Sequence, residues 1–363
     1  MPIERTTSLP NGQSAEPIEP VEIEIVEDVE DSDMPEEFGE MMAMMDHGVN
    51  LAEFVDDTEL GRMGSRLVEH FKNDKLTRKD WEETYTKGLD LLGLKNEERT
   101  EPWDGASGVF HPMLTEAVVR YQSQTIIDMF PASGPVRHKT VGKWDTEKSK
   151  QGARVENEMN YQLTENMDEY RAETEFLLFR QPLAGSAFKK INFDEDLGRA
   201  VSIFVPAEDF VIRYGASSLR TCSRYTHVQK LEPNEVRKLQ VAEFYRDIEL
   251  PEPAPEFDSV HDKNDDVSQT RPVIEEDDRH TILEMHVDLD LPEPFNDPDG
   301  IKRPYVVTID KSSLEVLAIY RNWREGDSTF GKKIYFVFHF SKYWVHYQLF
   351  HLRYNLSFFQ TRN

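Results

Sequence analysis

Cysteine is nearly absent from this chain: Cys222 is the only one among 363 residues. A lone thiol excludes an intrachain disulfide framework and fits a reducing compartment. No clean apolar run reaches the roughly 20 residues of a membrane-spanning helix. The opening residues, MPIERTTSLPNGQSAEP, lack the apolar centre of a secretory signal. Cations are almost missing from residues 1–60, which hold 18 Asp and Glu against Arg5 alone. They are scarce again in 251–300, where 16 acids face three bases. These segments carry −17 and −13 of a net charge of −27, which leaves +3 for everything else. General attraction to nucleic-acid phosphates is therefore excluded for the chain as a whole. The acidic segments read first as solvated tails and linkers.

What remains is organised. Residues 1–50 read as an acidic disordered tail, and 51–248 as a helical and β core. Leu60, Met63, Leu67 and Phe71 recur at helical spacing. Thr77 and Asp80 resemble a capping box ahead of a stripe of Trp81, Tyr85, Leu89 and Leu92, with Gly93 as the stop. A loop anchored by Trp103 and Phe110 leads to His111-Pro112, which opens a helix through Leu114, Val118, Tyr121 and Thr125, closed by Pro131. A long helical stretch over about 145–181 is expected to break around Glu165–Asp168 and to end at Pro182 and Gly185. Ala187, Lys189, Ile191 and Phe193 alternate with Phe188, Lys190 and Asn192 as in a half-buried strand. Arg199–Val205 is its return partner after the turn Asp194–Gly198. Two further extended pieces, EDFVIRY and CSRYTHVQKL, precede a helix from Pro233 carrying Val236, Leu239 and Phe244. Residues 249–279 are an acidic, Pro-rich linker or loop. Residues 280–333 form a second β-rich portion, in which Ile282, Glu284, His286 and Asp288 alternate with Leu283, Met285, Val287 and Leu289. That alternation predicts one wet face. The fold class is α+β, a helical region packed on antiparallel sheet.

Candidate chemistry is thin. Gly326–Lys333, GDSTFGKK, matches a phosphate loop through Lys332 and then places Lys333 where a hydroxyl should hold magnesium. A strand-like run follows in place of the required helix, so a turn between strands is the better reading. Phe295–Lys302, FNDPDGIK, hints at a calcium loop, but Phe295 stands where the first acid belongs and Val306 where the closing Glu belongs. Neither His280 with His286 nor His346 with His351 has zinc spacing, and His111 reads as a helix cap. The paired acids of DDRH and DEDLG lie on solvated turns. Cys222 lies between Arg220 and Arg224, which favour a thiolate, yet sits in a strand pattern that favours a buried thiol. No catalytic, cofactor-binding or metal-binding residue is assigned, and no cofactor is expected.

Several long strings resemble the N-terminal region of portal (head-to-tail connector) proteins of short-tailed, double-stranded DNA phages. They are WEETYTKGLDLLGLKNEERTEPWDGASGVFHPMLTEAVVRYQSQTIIDMFPASGPVR, EFLLFRQPLAGSAFKKINFD, VPAEDFVIRY, TCSRYTHVQKLEPNEVRKL and VVTIDKSSLEVLAIYRNW, in order over roughly 50–333. The resemblance implies a portal-like, non-enzymatic protein of the virion, assembled in the host cytoplasm into a homo-oligomeric ring, typically of twelve copies, at one capsid vertex. It implies terminase, capsid and tail or adaptor proteins as partners, and DNA passing through non-specifically during packaging and ejection, with no membrane role. Such rings need broad side surfaces, and the helix bearing Ser123, Gln124 and Thr125 is one candidate. Portals of this kind are substantially longer. Residues 334–363, crowded with aromatics and without Gly or Pro, therefore read as a truncated or out-of-frame end. The alternatives are another capsid or tail adaptor and, from the enzyme class, a P-loop nucleotide hydrolase using Lys332.

Overall fold

The computed structural model describes residues 46–92, 103, 112–194, 197–216, 218–253, 260, 279–327 and 329–340. The expectations for the tail 1–45, Gly93, Phe110, His111, most of the 249–279 linker, Ser328 and residues 341–363 lie outside them. The chain divides into Met1–Asp46 and His47–Asn363, and every element below belongs to the second unit.

The periodicity of Leu60, Met63, Leu67 and Phe71 produces helix α1, Asp57–Leu76, which buries all four. Asp56 caps it by accepting the Thr58 N–H. Thr77 closes this helix, with its hydroxyl donated to the Asp74 carbonyl, and does not open the next. Helix α2, Lys79–Leu91, starts at Arg78 without a side-chain cap. The capping-box expectation is thus corrected: the hydroxyl found a nearer orphan carbonyl at the preceding helix end. Helix α3 spans Met113–Met129 and α4 spans Thr146–Tyr161. A π turn, Gln162–Asn166, interrupts the helical run where the break was expected. Helix α5 is Glu169–Ala184. It carries Pro182 within its last turn and ends only at Gly185, whose φ of 79° is the left-handed cap.

Strand β1, Ser186–Asp194, pairs antiparallel with β2, Arg199–Val205, and on its other side with β8, Phe336–Phe340. The second sheet has five antiparallel strands in the order β3-β4-β5-β6-β7. These are Phe210–Ile212, Arg224–Leu231, His280–Leu289, Arg303–Asp310 and Val316–Arg321. Strands from both sides of residues 249–279 thus share one sheet. Helix α6, Pro233–Val241, leaves Phe244 beyond its end.

Helix α1 covers one face of the five-stranded sheet, meeting Leu283, Met285, Val287, Val307, Ile309 and Ile319. It comes so close that a Cβ on Gly64 would lie 2.1 Å from the Leu314 carbonyl oxygen. The opposite face is not wet. The three-stranded sheet lies over it, with Phe336 against His227 and His286 at 5.5 Å between ring centroids. His286 is buried as a result. Strand β1 likewise departs from simple alternation: Lys189 is buried, while Ile191 and Phe193 are exposed. Its first half is sandwiched against α5, and its second half runs past it.

Two strand edges are closed by side chains. Along β7, the Asn50 amide donates to the Leu317 carbonyl at 3.1 Å and accepts the Ile319 N–H at 2.9 Å, standing in for a neighbouring strand. Along β2, Glu173 accepts the Phe204 N–H at 2.6 Å and Glu169 the Ser202 N–H at 3.4 Å. Such carboxylates blunt an edge that would otherwise template pairing.

Candidate functional site

The densest cluster of titratable groups surrounds Glu284, which the alternation of β5 aims at the covered face. One carboxylate oxygen takes the Lys190 ammonium from β1 at 2.5 Å and the Gln229 amide from β4 at 2.9 Å. The other meets His286 Nε2 at 3.0 Å. His286 stacks on Tyr225 with ring centroids 4.6 Å apart. Burial alone would raise the Glu284 carboxyl, but His227, His286 and the Lys190 ammonium hold it well below its usual range. Burial pushes the His286 imidazole down, against the pull of Glu284, which favours the neutral ring. Charge is balanced inside the cluster, and the groups that carry it join the two sheets. The arrangement is a joint: Lys190 reaches the Glu284 carboxylate from the facing sheet, while Gln229 and His286 engage it from the acid's own sheet.

The other sequence candidates have structural partners. Lys332 Nζ donates to the Cys222 carbonyl at 2.6 Å and pairs with Asp288 at 2.8 Å. The Asp327 carboxylate gathers the Thr329 and Gly331 N–H groups, so the described part of Gly326–Lys333 is a turn leading to β8. Cys222 is buried, its Sγ 2.9 Å from the Arg224 carbonyl, and burial pushes its thiol up. The Arg224 guanidinium is spent on Asp74, in a two-pronged pair at 2.7 and 2.9 Å. In the calcium-like loop Asp297 pairs with Arg303 and accepts the Asp299 N–H. Its carboxyl is lowered by that backbone bond and by Arg303. His280 sits beside Asp310, 3.4 Å from Nδ1 to Oδ1, apart from His286 in role. His346 and His351 lie outside the described residues. No group of three or more His, Cys, Asp or Glu able to hold a metal is found among the described residues.

A recess of about 310 Å³ lies between α6, the 247–250 segment and His280. Its polar lining is engaged: Gln240 donates to the Arg246 and Ile248 carbonyls, and Arg237 pairs with Asp247.

Unpartnered surface is easier to find than unpartnered chemistry. Helix α3 buries only Val118, while Met113 and Ile127 are each 69% exposed. Helix α4 buries nothing. Phe176 of α5 is 62% exposed. Sequence reading found the helices but not this bareness, because an apolar residue at helical spacing looks the same whether its cover is internal or external. No helix of the described residues is long and apolar enough to cross a membrane. No protein-family model matches the chain, and no curated protein matches it.

Proposed function

We propose that the chain is a subunit of a viral portal: a ring at one capsid vertex through which double-stranded DNA is packaged and ejected. The observation that carries the reading is the helical limb α3–α4, which presents apolar side chains that stay exposed among the described residues. A closed ring covers such side chains through heterologous contacts, one face of each copy meeting the opposite face of the next. The portal-like strings fall on α2, α3, α5 and α6 and on β1, β3, β4, β6 and β7, and reach β2 only at Val205. In this reading the Glu284 joint keeps the wedge rigid, and terminase and tail proteins dock on the assembled ring. The near-neutral charge outside the acidic segments suits a conduit, since fixed cations along a channel would hold phosphates in place.

Negative-stain microscopy of the purified chain tests the reading. Rings with a channel wide enough for a DNA duplex are the expected result; a chain that stays monomeric at every concentration overturns it. Thermal stabilisation by magnesium-ATP would instead favour the nucleotide-hydrolase alternative. The engagement of Lys332 with Asp288 and Cys222 speaks for no shift.

A further inference from the structure

Residues 131–166 contain no buried residue, and α4 lies in their middle. A lone helix of this length is marginal in water. What holds the stretch in shape is local and polar. The Asn160 amide clasps the Val136 backbone from both sides, accepting its N–H at 2.9 Å and donating to its carbonyl at 3.2 Å. Glu156 takes the His138 N–H at 3.1 Å and pairs with its ring. Two glycines make room for the clasp. A Cβ on Gly134, which has φ of 91°, would lie 2.6 Å from the Asn160 amide, and one on Gly152 would lie 2.5 Å from the His138 ring. The arm is therefore held in one conformation with no core beneath it.

The first turn of α4 carries the Asp145 cap and Glu147, which suit a helix N-terminus, with Lys148 and Lys150 beside them and Arg154, Glu156 and Glu158 further on. Residues 137–154 hold six Lys and Arg against Asp145 and Glu147, a net of +4 within a chain of −27. Lys139, Lys143, Lys148 and Arg154 have no ion pair among the described residues. Large apolar side chains stand among these cations: Val141 is 73% exposed and Trp144 70%, with Val155 and Met159 one turn apart on α4. A phosphate backbone answers the cations but not the bare Val and Met. A protein surface answers both, and Trp, Tyr, Met and Arg are the side chains that concentrate at interface centres.

We propose that this arm, residues 131–161, docks on a second copy of the chain, at a surface that is acidic and partly apolar. Charge supplies the complement: residues 131–161 hold six Lys and Arg against Asp145, Glu147, Glu156 and Glu158, a net of +2, which leaves −29 for the rest of each copy. The proposal deepens the ring reading and rests on it: the arm is the element by which one copy reaches the next. The test uses mass photometry of the full chain over a range of concentrations. It compares wild type with two variants, Val141→Asp/Trp144→Asp at the tip and Lys148→Glu/Lys150→Glu/Arg154→Glu on the helix. The urea midpoint is measured for each and should not move, because none of these residues is buried. Should the helix variant shift its midpoint, the tip variant decides, since it leaves α4 intact.

Wild type should assemble, and each variant should associate about 30-fold more weakly, the loss of one interface hot spot. Variants that assemble as wild type does would overturn the arm contact and leave the ring reading standing. Variants that assemble normally but lose a mobility shift with linear duplex DNA would reassign the arm to nucleic acid. A wild-type chain that never associates would overturn both.

Discussion

Leu283 in β5 and Val155 in α4 are both aliphatic, and the molecule treats them in opposite ways. The strand residue has no exposed surface and sits among α1, β6 and β7, while the helix residue is 54% exposed. Around Leu283 each element meets a complementary neighbour from the same chain. Around Val155 a polar clasp fixes the backbone and the side chains are left bare. One region is buried by its own chain; the other is held in shape while its side chains stay exposed. Rigidity and burial, which usually travel together, are here separated.

The sharpest way to break that contrast is Asp74→Ala. It would strand the Arg224 guanidinium, whose two-pronged pair with Asp74 ties α1 to β4. Removing one partner of such a buried pair costs about 4 kcal/mol, read as a lower urea midpoint with the arm's clasp untouched. Gly64→Ala follows, at about 3 kcal/mol from overpacking against the Leu314 carbonyl. Glu284→Gln should cost about 2 kcal/mol at neutral pH through weakened charge-assisted bonds. It also changes the acid limb. The folded Glu284 carboxyl lies below its unfolded value, so its contribution is present above about pH 4.5 and is lost as pH falls further. The variant should flatten that limb in denaturant titrations at graded pH.

Lys189→Met sharpens the comparison at the alkaline end. Burial lowers the Lys189 ammonium to about 8, against the pull of Glu173 and Glu169. The unfolded chain then holds the proton more tightly than the folded one. Stability should rise between about pH 8 and 10.5, and the variant should lose that rise. The smallest effect belongs to Val155→Ala: under about 0.5 kcal/mol in the isolated chain, where a residue of the sheet core such as Leu283 would lose several.

Much of the fold could be read from spacing. The α1 stripe, the β1–β2 hairpin, the β4 strand and the break before α5 all follow from period and punctuation. The Glu284 face could not be read so. Alternation announces that a strand has two faces, not whether a second sheet will cover the polar one, and Lys190 is 94 residues from the acid it meets. Pro182 was only half of the expected stop: it lacks the N–H that would donate one turn back, yet the helix runs through it to Ala184, and Gly185 ends it. Thr77 lay between two helix ends three residues apart, Leu76 and Lys79. The arm was legible as helix but not as bare, since exposure is a property of neighbours.

The carboxylates of Glu169 and Glu173 on the rim of β2 have a consequence for how copies can meet. Identical chains held at high local concentration tend to zip together wherever a main-chain ladder stands unfinished. Here that ladder ends in two carboxylates, one of them balanced by Arg199, which occupy the amides a second strand would need. Copies that meet would have to do so through side chains elsewhere, whose register a sequence can specify.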